Sequence, residues 1–293
     1  MSRIHEALSK AARERTRHGS AGLAPTLVDI TDGIKRPPVV DEGFEPVNLT
    51  DAGVQTASAT SVQTIGEYTQ PQWRINSRVN VFLPQSQDRL AAERFRTLRS
   101  RLHQISEAQK LRIVLVTSAT SAEGKSFVCA NLAQSLIHKQ DRRVLLIDAD
   151  MRLPTQHKNF GAPRTPGLSN YLRGEAREGE VLQKGSDSNL FLLPAGDEIP
   201  NPSELLLSDK MKQLLKFSAD TFDWVIVDSP PTLPVHDASV LADLCDGVLL
   251  VVRAASTDFE MAGKAAEEFR QKNLLGVVFN CVEKGVSAYT KYY

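Results

Sequence analysis

Short apolar runs rich in Val, Ile and Leu recur along the C-terminal part of this 293-residue chain, at residues 112–117, 143–148, 190–194, 224–228, 247–252 and 276–280. Stretches of helical character lie between most of them, for example 125–138, 209–219 and 259–272. A strand that is apolar at nearly every position must be covered on both faces, and helical crossovers between such strands make them parallel. The alternation predicts a doubly wound, mostly parallel α/β sheet. Ligands in that architecture sit at the carboxyl ends of the strands, so the residues that follow each apolar run are the place to look for chemistry.

The rest of the chain reads differently. Ile4, Ala7, Leu8 and Ala11 follow helical spacing among Arg3, Lys10, Arg13, Arg15 and Arg17, which predicts a short amphipathic helix over 1–18. It could dock a partner or an anionic membrane surface, or be a solvated helix without a binding role; its thin apolar face would anchor weakly. Residues 19–83 contain Pro37-Pro38 and a Ser/Thr/Gln-rich run, too little to bury to offset ordering entropy, and read as a low-order linker. The α/β domain is expected over 84–286, followed by a tail at 287–293.

Thirty-five basic residues balance 35 acidic ones, and without a basic surplus a nucleic-acid coat is not expected. The balance is a sum of unlike segments: residues 88–112 alone carry 7 basic and 3 acidic side chains. No run approaches the roughly 18 apolar residues of a membrane span, and the start Met1-Ser2-Arg3-Ile4-His5-Glu6 lacks the core of a secretory signal. Cys129, Cys245 and Cys281 are scattered without metal-ligand spacing, as expected of a reduced, cytoplasmic chain. The six histidines show no ligand spacing either.

Three motifs follow apolar runs. The first is Thr117-Ser118-Ala119-Thr120-Ser121-Ala122-Glu123-Gly124-Lys125-Ser126, which has P-loop spacing with Ala119 at the usual first glycine. Small residues let backbone N–H groups curl around phosphate, and the helix amino terminus adds partial positive charge. The cradle would run from Ala119 through Thr120, Ser121, Ala122, Glu123, Gly124, Lys125 and Ser126 to Phe127, with Lys125 on the β/γ-phosphates and the Ser126 hydroxyl on Mg²⁺. The second motif, Ile147-Asp148-Ala149-Asp150-Met151-Arg152, puts two carboxylates at one strand tip; the third, Val227-Asp228-Ser229-Pro230-Pro231, puts an acid at another. Any one Asp could merely cap a turn. Three such motifs on one sheet edge predict a site for ATP and Mg²⁺.

At this point the residues resemble one family, the bacterial tyrosine kinases (BY-kinases) of capsule and exopolysaccharide synthesis. Leu145-Leu146-Ile147-Asp148-Ala149-Asp150-Met151-Arg152 is similar to that family's modified second Walker motif. Glu93-Arg94-Phe95-Arg96-Thr97-Leu98-Arg99 matches its Glu-x-x-Arg-x-x-Arg helix, and Pro200-Asn201-Pro202-Ser203-Glu204-Leu205-Leu206 the segment after its third strand. Of five tyrosines, Tyr289, Tyr292 and Tyr293 fall in the last five residues, where the family carries its autophosphorylated cluster.

The resemblance implies ATP-dependent phosphorylation of those tail tyrosines on neighbouring subunits, within a ring assembled through Glu93, Arg96 and Arg99. It implies Mg²⁺ held by Ser126, Asp150 and Asp228, directly or through water, with Asp148 as the base, although Asp148 and Asp150 could exchange roles. Lys125 and Arg152 complete the implied catalytic set. Asn280 either reads the adenine edge or forms a turn, and Arg253 is a weaker candidate at the nucleotide. Expected partners are further copies of the chain, a separate transmembrane polysaccharide chain-length regulator and a cognate tyrosine phosphatase. The expected location is the inner face of the plasma membrane, reached through that regulator. The nearest rival is a positioning or partition ATPase of the MinD/ParA type, which carries a second lysine where this chain has Thr120; a silent nucleotide-dependent scaffold is the third reading.

Overall fold

The computed structural model describes residues 68–83, 88–138, 142–185 and 189–282. The expected helix over 1–18 and the tyrosines of the tail lie outside these residues. The chain order is α1 (Arg89–Ala108), β1 (Ile113–Ser118), α2 (Lys125–Ile137), β2 (Val144–Asp148), α3 (Gln156–Phe160), α4 (Leu168–Arg173), α5 (Glu178–Val181), β3 (Gln183–Lys184), β4 (Leu190–Leu193), α6 (Pro202–Leu206), α7 (Asp209–Thr221), β5 (Trp224–Asp228), α8 (Asp237–Ala242), β6 (Gly247–Arg253), α9 (Phe259–Glu268) and β7 (Leu274–Asn280).

The strands form one sheet in the order β3-β4-β2-β5-β1-β6-β7. Every pairing is parallel except that of the two-residue β3 with β4. Side chains alternate across a strand, and the core divides accordingly. Leu115, Leu145, Ile147, Phe191, Val225 and Val227 face one layer with α4, α7 and α8. Their neighbours Val114, Val116, Leu146, Leu192 and Ile226 face the other, with Phe95, Leu98 and Leu102 of α1 and the buried side of α2. A smaller cluster joins Leu250, Val252 and Val277 to Ala262 and Ala265 of α9. This two-sided burial is why the strands read as continuous apolar runs.

Residues 68–83, expected as the end of the linker, are packed on the domain. Tyr68 meets Phe191 edge-on at 5.3 Å and Trp73 tilts against Phe160 at 5.3 Å. The Val81 N–H donates to Asn131 Oδ1 at 2.9 Å, and Asn131 Nδ2 donates to the Val79 carbonyl at 2.8 Å. Residues 68–83 thus share packing and hydrogen bonds with the residues that follow. Its aromatic anchors are too sparsely spaced to register as a periodic apolar face.

Candidate nucleotide and phosphoryl-transfer site

Strands β2, β5 and β1 are consecutive neighbours, so the three motifs emerge side by side. The register pairs Asp148 with Asp228 and Val116 with Asp228. Both acids are fully buried.

The loop after β1 turns through Ala122 (φ 63°) and Gly124 (φ 93°) before α2 begins. Both lie in the left-handed region, and a Cβ at Gly124 would come 1.9 Å from Asn280 Nδ2, so position 124 requires glycine. The carbonyls of this turn are engaged from outside. Arg253 Nη1 donates to Ala122 O at 3.3 Å, and Asn280 Nδ2 donates to Glu123 O at 2.9 Å. Glu123 is buried, accepts from the Thr120 N–H at 3.1 Å, and also accepts from the Thr257 hydroxyl. Side chains thus occupy the Ala122 and Glu123 carbonyls of the turn, and a loop of this kind binds a phosphate through its N–H groups. Phe127 packs against Phe95 at 5.9 Å and couples α2 to α1.

Lys125 is 9% exposed, with Nζ 3.2 Å from Asp150 Oδ2. Asp150 Oδ1 accepts from the Leu153 N–H at 3.0 Å. Asp148 Oδ2 accepts from the Thr155 and Gln156 N–H groups at 3.1 and 2.9 Å. Asp228 Oδ2 accepts from Gln156 Nε2 at 2.7 Å. The second oxygen of each, Asp148 Oδ1 and Asp228 Oδ1, is buried without a hydrogen-bond partner. Burial, then the neighbouring Asp228, push the Asp148 carboxyl well above the usual carboxylate range. Burial also pushes Asp228 up, to about 6, while Lys125, the Ser126 hydroxyl and the Gln156 amide restrain the rise. The Cys129 thiol, raised by burial and then by Asp228, stays protonated beside the acids.

Arg152 is held by Asp237: Nε donates to Oδ2 at 2.8 Å, and Nη2 to Oδ1 at 3.4 Å and to Ser203 Oγ at 3.1 Å. On α1, Glu93 and Arg96 pair on the exposed face, whereas Arg99 Nη1 donates to the Ser135 carbonyl at 2.8 Å and so ties α1 to α2. Among the described residues no group of three or more His, Cys, Asp or Glu side chains could hold a metal ion unaided. The buried orphan oxygen of Asp228 beside the Ser126 hydroxyl suits Mg²⁺, which takes one or two carboxylates and completes its shell with water and phosphate.

Comparison with known proteins decides the family. A family model described as the CobQ/CobB/MinD/ParA nucleotide binding domain matches residues 114–291. Tyrosine-protein kinase YwqD of Bacillus subtilis (strain 168) is 38% identical over 205 residues, 69% of this chain and 85% of YwqD. The chain belongs to the bacterial tyrosine kinases. The kinase is also 34% identical over 205 residues to tyrosine-protein kinase wzc of Salmonella typhi, of which the match covers 28%. The solved kinase domain of Escherichia coli tyrosine kinase ETK superposes with a TM-score of 0.64 at 36% identity, covering 69% of this kinase and 80% of that chain.

The structure brings Lys125, Ser126, Asp148, Asp150 and Asp228 of the kinase to one sheet edge. It engages Arg152 with Asp237 and Ser203, and Asn280 with the P-loop backbone. Sequence reasoning missed Gln156, Asp237 and the loop-bracing pair Glu123 and Thr257. Glu123 was counted only as a cradle position. Gln156 and Asp237 follow the second and third motifs by a few residues, but neither forms a motif by itself. Among the described residues no helix is long and apolar enough to cross a membrane.

Proposed function

We propose that this kinase transfers the γ-phosphoryl group of ATP, with Mg²⁺, to Tyr289, Tyr292 and Tyr293 of a neighbouring copy, and through that modification regulates capsule or exopolysaccharide polymerisation and export. The observation that carries the reading is the meeting of the P-loop, the Asp-x-Asp pair and Asp228 on three adjacent strand tips. Phosphoryl transfer asks mainly for positioning and charge neutralisation. Lys125 exchanges its contact with Asp150 for the β/γ-phosphates, and the loop N–H groups orient them. Ser126, Asp150 and Asp228 hold Mg²⁺ directly or through water, and the ion neutralises charge on the phosphate oxygens. A phenol has a pKa near 10, so its proton needs an acceptor. Asp148, whose carboxyl burial and the neighbouring Asp228 push well above the usual range, takes that part, with Asp150 as the alternate. Glu93 and Arg96 contribute to contacts between copies, Arg99 supporting the helix that presents them. A transmembrane chain-length regulator holds the assembly at the inner membrane face, and a tyrosine phosphatase reverses the modification.

The test mixes full-length Lys125→Met protein with a chain that ends before Tyr289, in Mg²⁺ and ATP. Phosphotyrosine on the Lys125→Met tail is expected, since the truncated copy supplies the intact site. Phosphate on neither chain counts against transfer between copies, and steady phosphate release without any tail phosphotyrosine would indicate an ATPase switch instead.

A further inference from the structure

Gln156, the first residue of α3, is fully buried although its side chain is polar. Its amide nitrogen donates twice, to the Ser126 carbonyl at 3.0 Å and to Asp228 Oδ2 at 2.7 Å. Its amide oxygen accepts from Asn159 Nδ2 at 3.2 Å. Its backbone N–H donates to Asp148 Oδ2 at 2.9 Å. One residue thus touches the start of the P-loop helix and both buried acids, with no spare donor on its amide nitrogen.

The consequence lies in which oxygens it occupies. On each acid the Oδ2 atom is taken from the Gln156 side, while Oδ1 is buried and without a partner. A buried carboxylate oxygen left unpaired is costly. Turning either carboxylate to relieve Oδ1 would break the bonds at Oδ2. Gln156 therefore fixes the carboxylate planes and reserves one oxygen of each.

We propose that Gln156 is a positioning residue that sets the Asp228 carboxylate for a hydrated Mg²⁺ carried with the nucleotide and the Asp148 carboxylate for the tyrosine proton, and couples their placement to the Ser126 end of the P-loop. The inference rests on the Mg²⁺-dependent reading of the site given above. A residue that only fills space would affect folding and the active fraction. A positioning residue changes how much Mg²⁺ the site needs.

The experiment measures binding of a fluorescent ADP to the full chain at equilibrium while Mg²⁺ is titrated, for the wild type and Gln156→Met, with thermal melting to confirm folding. Methionine keeps the length and apolar bulk and removes the amide. The expected result is Mg²⁺-free ADP affinity within about twofold of wild type and a half-saturating Mg²⁺ concentration raised about tenfold, as the loss of one charge-assisted bond implies. Asn159→Ala, which removes only the partner of the amide oxygen, should raise that concentration about threefold and serves if Gln156→Met fails to fold. Variants whose Mg²⁺ requirement matches the wild type overturn the inference alone. A wild type that binds ADP equally with and without Mg²⁺ overturns the Mg²⁺ reading and the inference with it.

Discussion

Asp148 and Asp228 lie side by side on β2 and β5, both without solvent. Two buried carboxylates repel and burial disfavours either charge, so without a metal ion the folded pair holds its protons more tightly than the unfolded chain does, even beside Lys125. A carboxyl with a raised folded pKa is stabilised by its proton. That stability is fully present below the unfolded value near 4 and is lost as pH rises through the raised folded range, about 6 for Asp228, with Asp148 likewise pushed well above the usual carboxylate value. Asp148→Asn removes the need for a proton and retains an oxygen for the Thr155 and Gln156 N–H groups. The nucleotide-free variant should be more stable than wild type at pH 7.5 by about 1–2 kcal/mol, in line with other relieved functional sites. The gap should close near pH 4, while tyrosine phosphorylation is lost. Thermal melts across pH check this, and a variant less stable at pH 7.5 would refute it.

At the level of elements, Arg152 acts as a strut. It leaves β2 four residues beyond Asp148 and is clasped by Asp237 at the start of α8 and by Ser203 in α6. Asp237 is 1% exposed, so removing the guanidinium leaves a buried carboxylate without its cation and with the Ser203 hydroxyl as a remaining donor. Because the Arg152 side chain is 38% exposed, solvent tempers the cost to about 1–3 kcal/mol. Arg152→Ala and Asp237→Ala should each destabilise by that amount. The double variant should lose less than their sum, with a coupling of about 1 kcal/mol in a double-mutant cycle read by urea unfolding. Additive losses would show that the pair does not act as a strut. The strands and the P-loop were legible in the sequence because period and spacing are local signals. Arg152 was legible as part of a motif, yet its partner stands 85 residues away and only the fold brings them together. Gln156 was hidden for the same reason: its bonds to Ser126 and Asp228 span 30 and 72 residues.

For the whole molecule, the question is where the folded unit begins. Composition placed the boundary near residue 84, because residues 68–83 carry polar and proline residues with no periodicity. Their bonds reach far along the chain. Thr69 pairs with Gln183 at the β3 edge, its hydroxyl donates to the Leu182 carbonyl, and Trp73, Ile75, Val81 and Phe82 pack against the layer that contains α1 and α2. Asn131 of α2 is fully buried and spends its amide on the Val79 carbonyl and the Val81 N–H. Losing the segment would leave that amide without those partners and uncover Phe95, Phe160 and Phe191. A chain beginning at residue 68 should therefore melt close to the full-length protein. One beginning at residue 84 should be destabilised by at least about 2 kcal/mol, or roughly 4–8 °C for a domain of this size. Because Asn131 lies on the P-loop helix, the shorter chain should also bind ADP more weakly. Equal melting temperatures for the two truncations would place the boundary at residue 84 after all and reduce the segment to a passive covering.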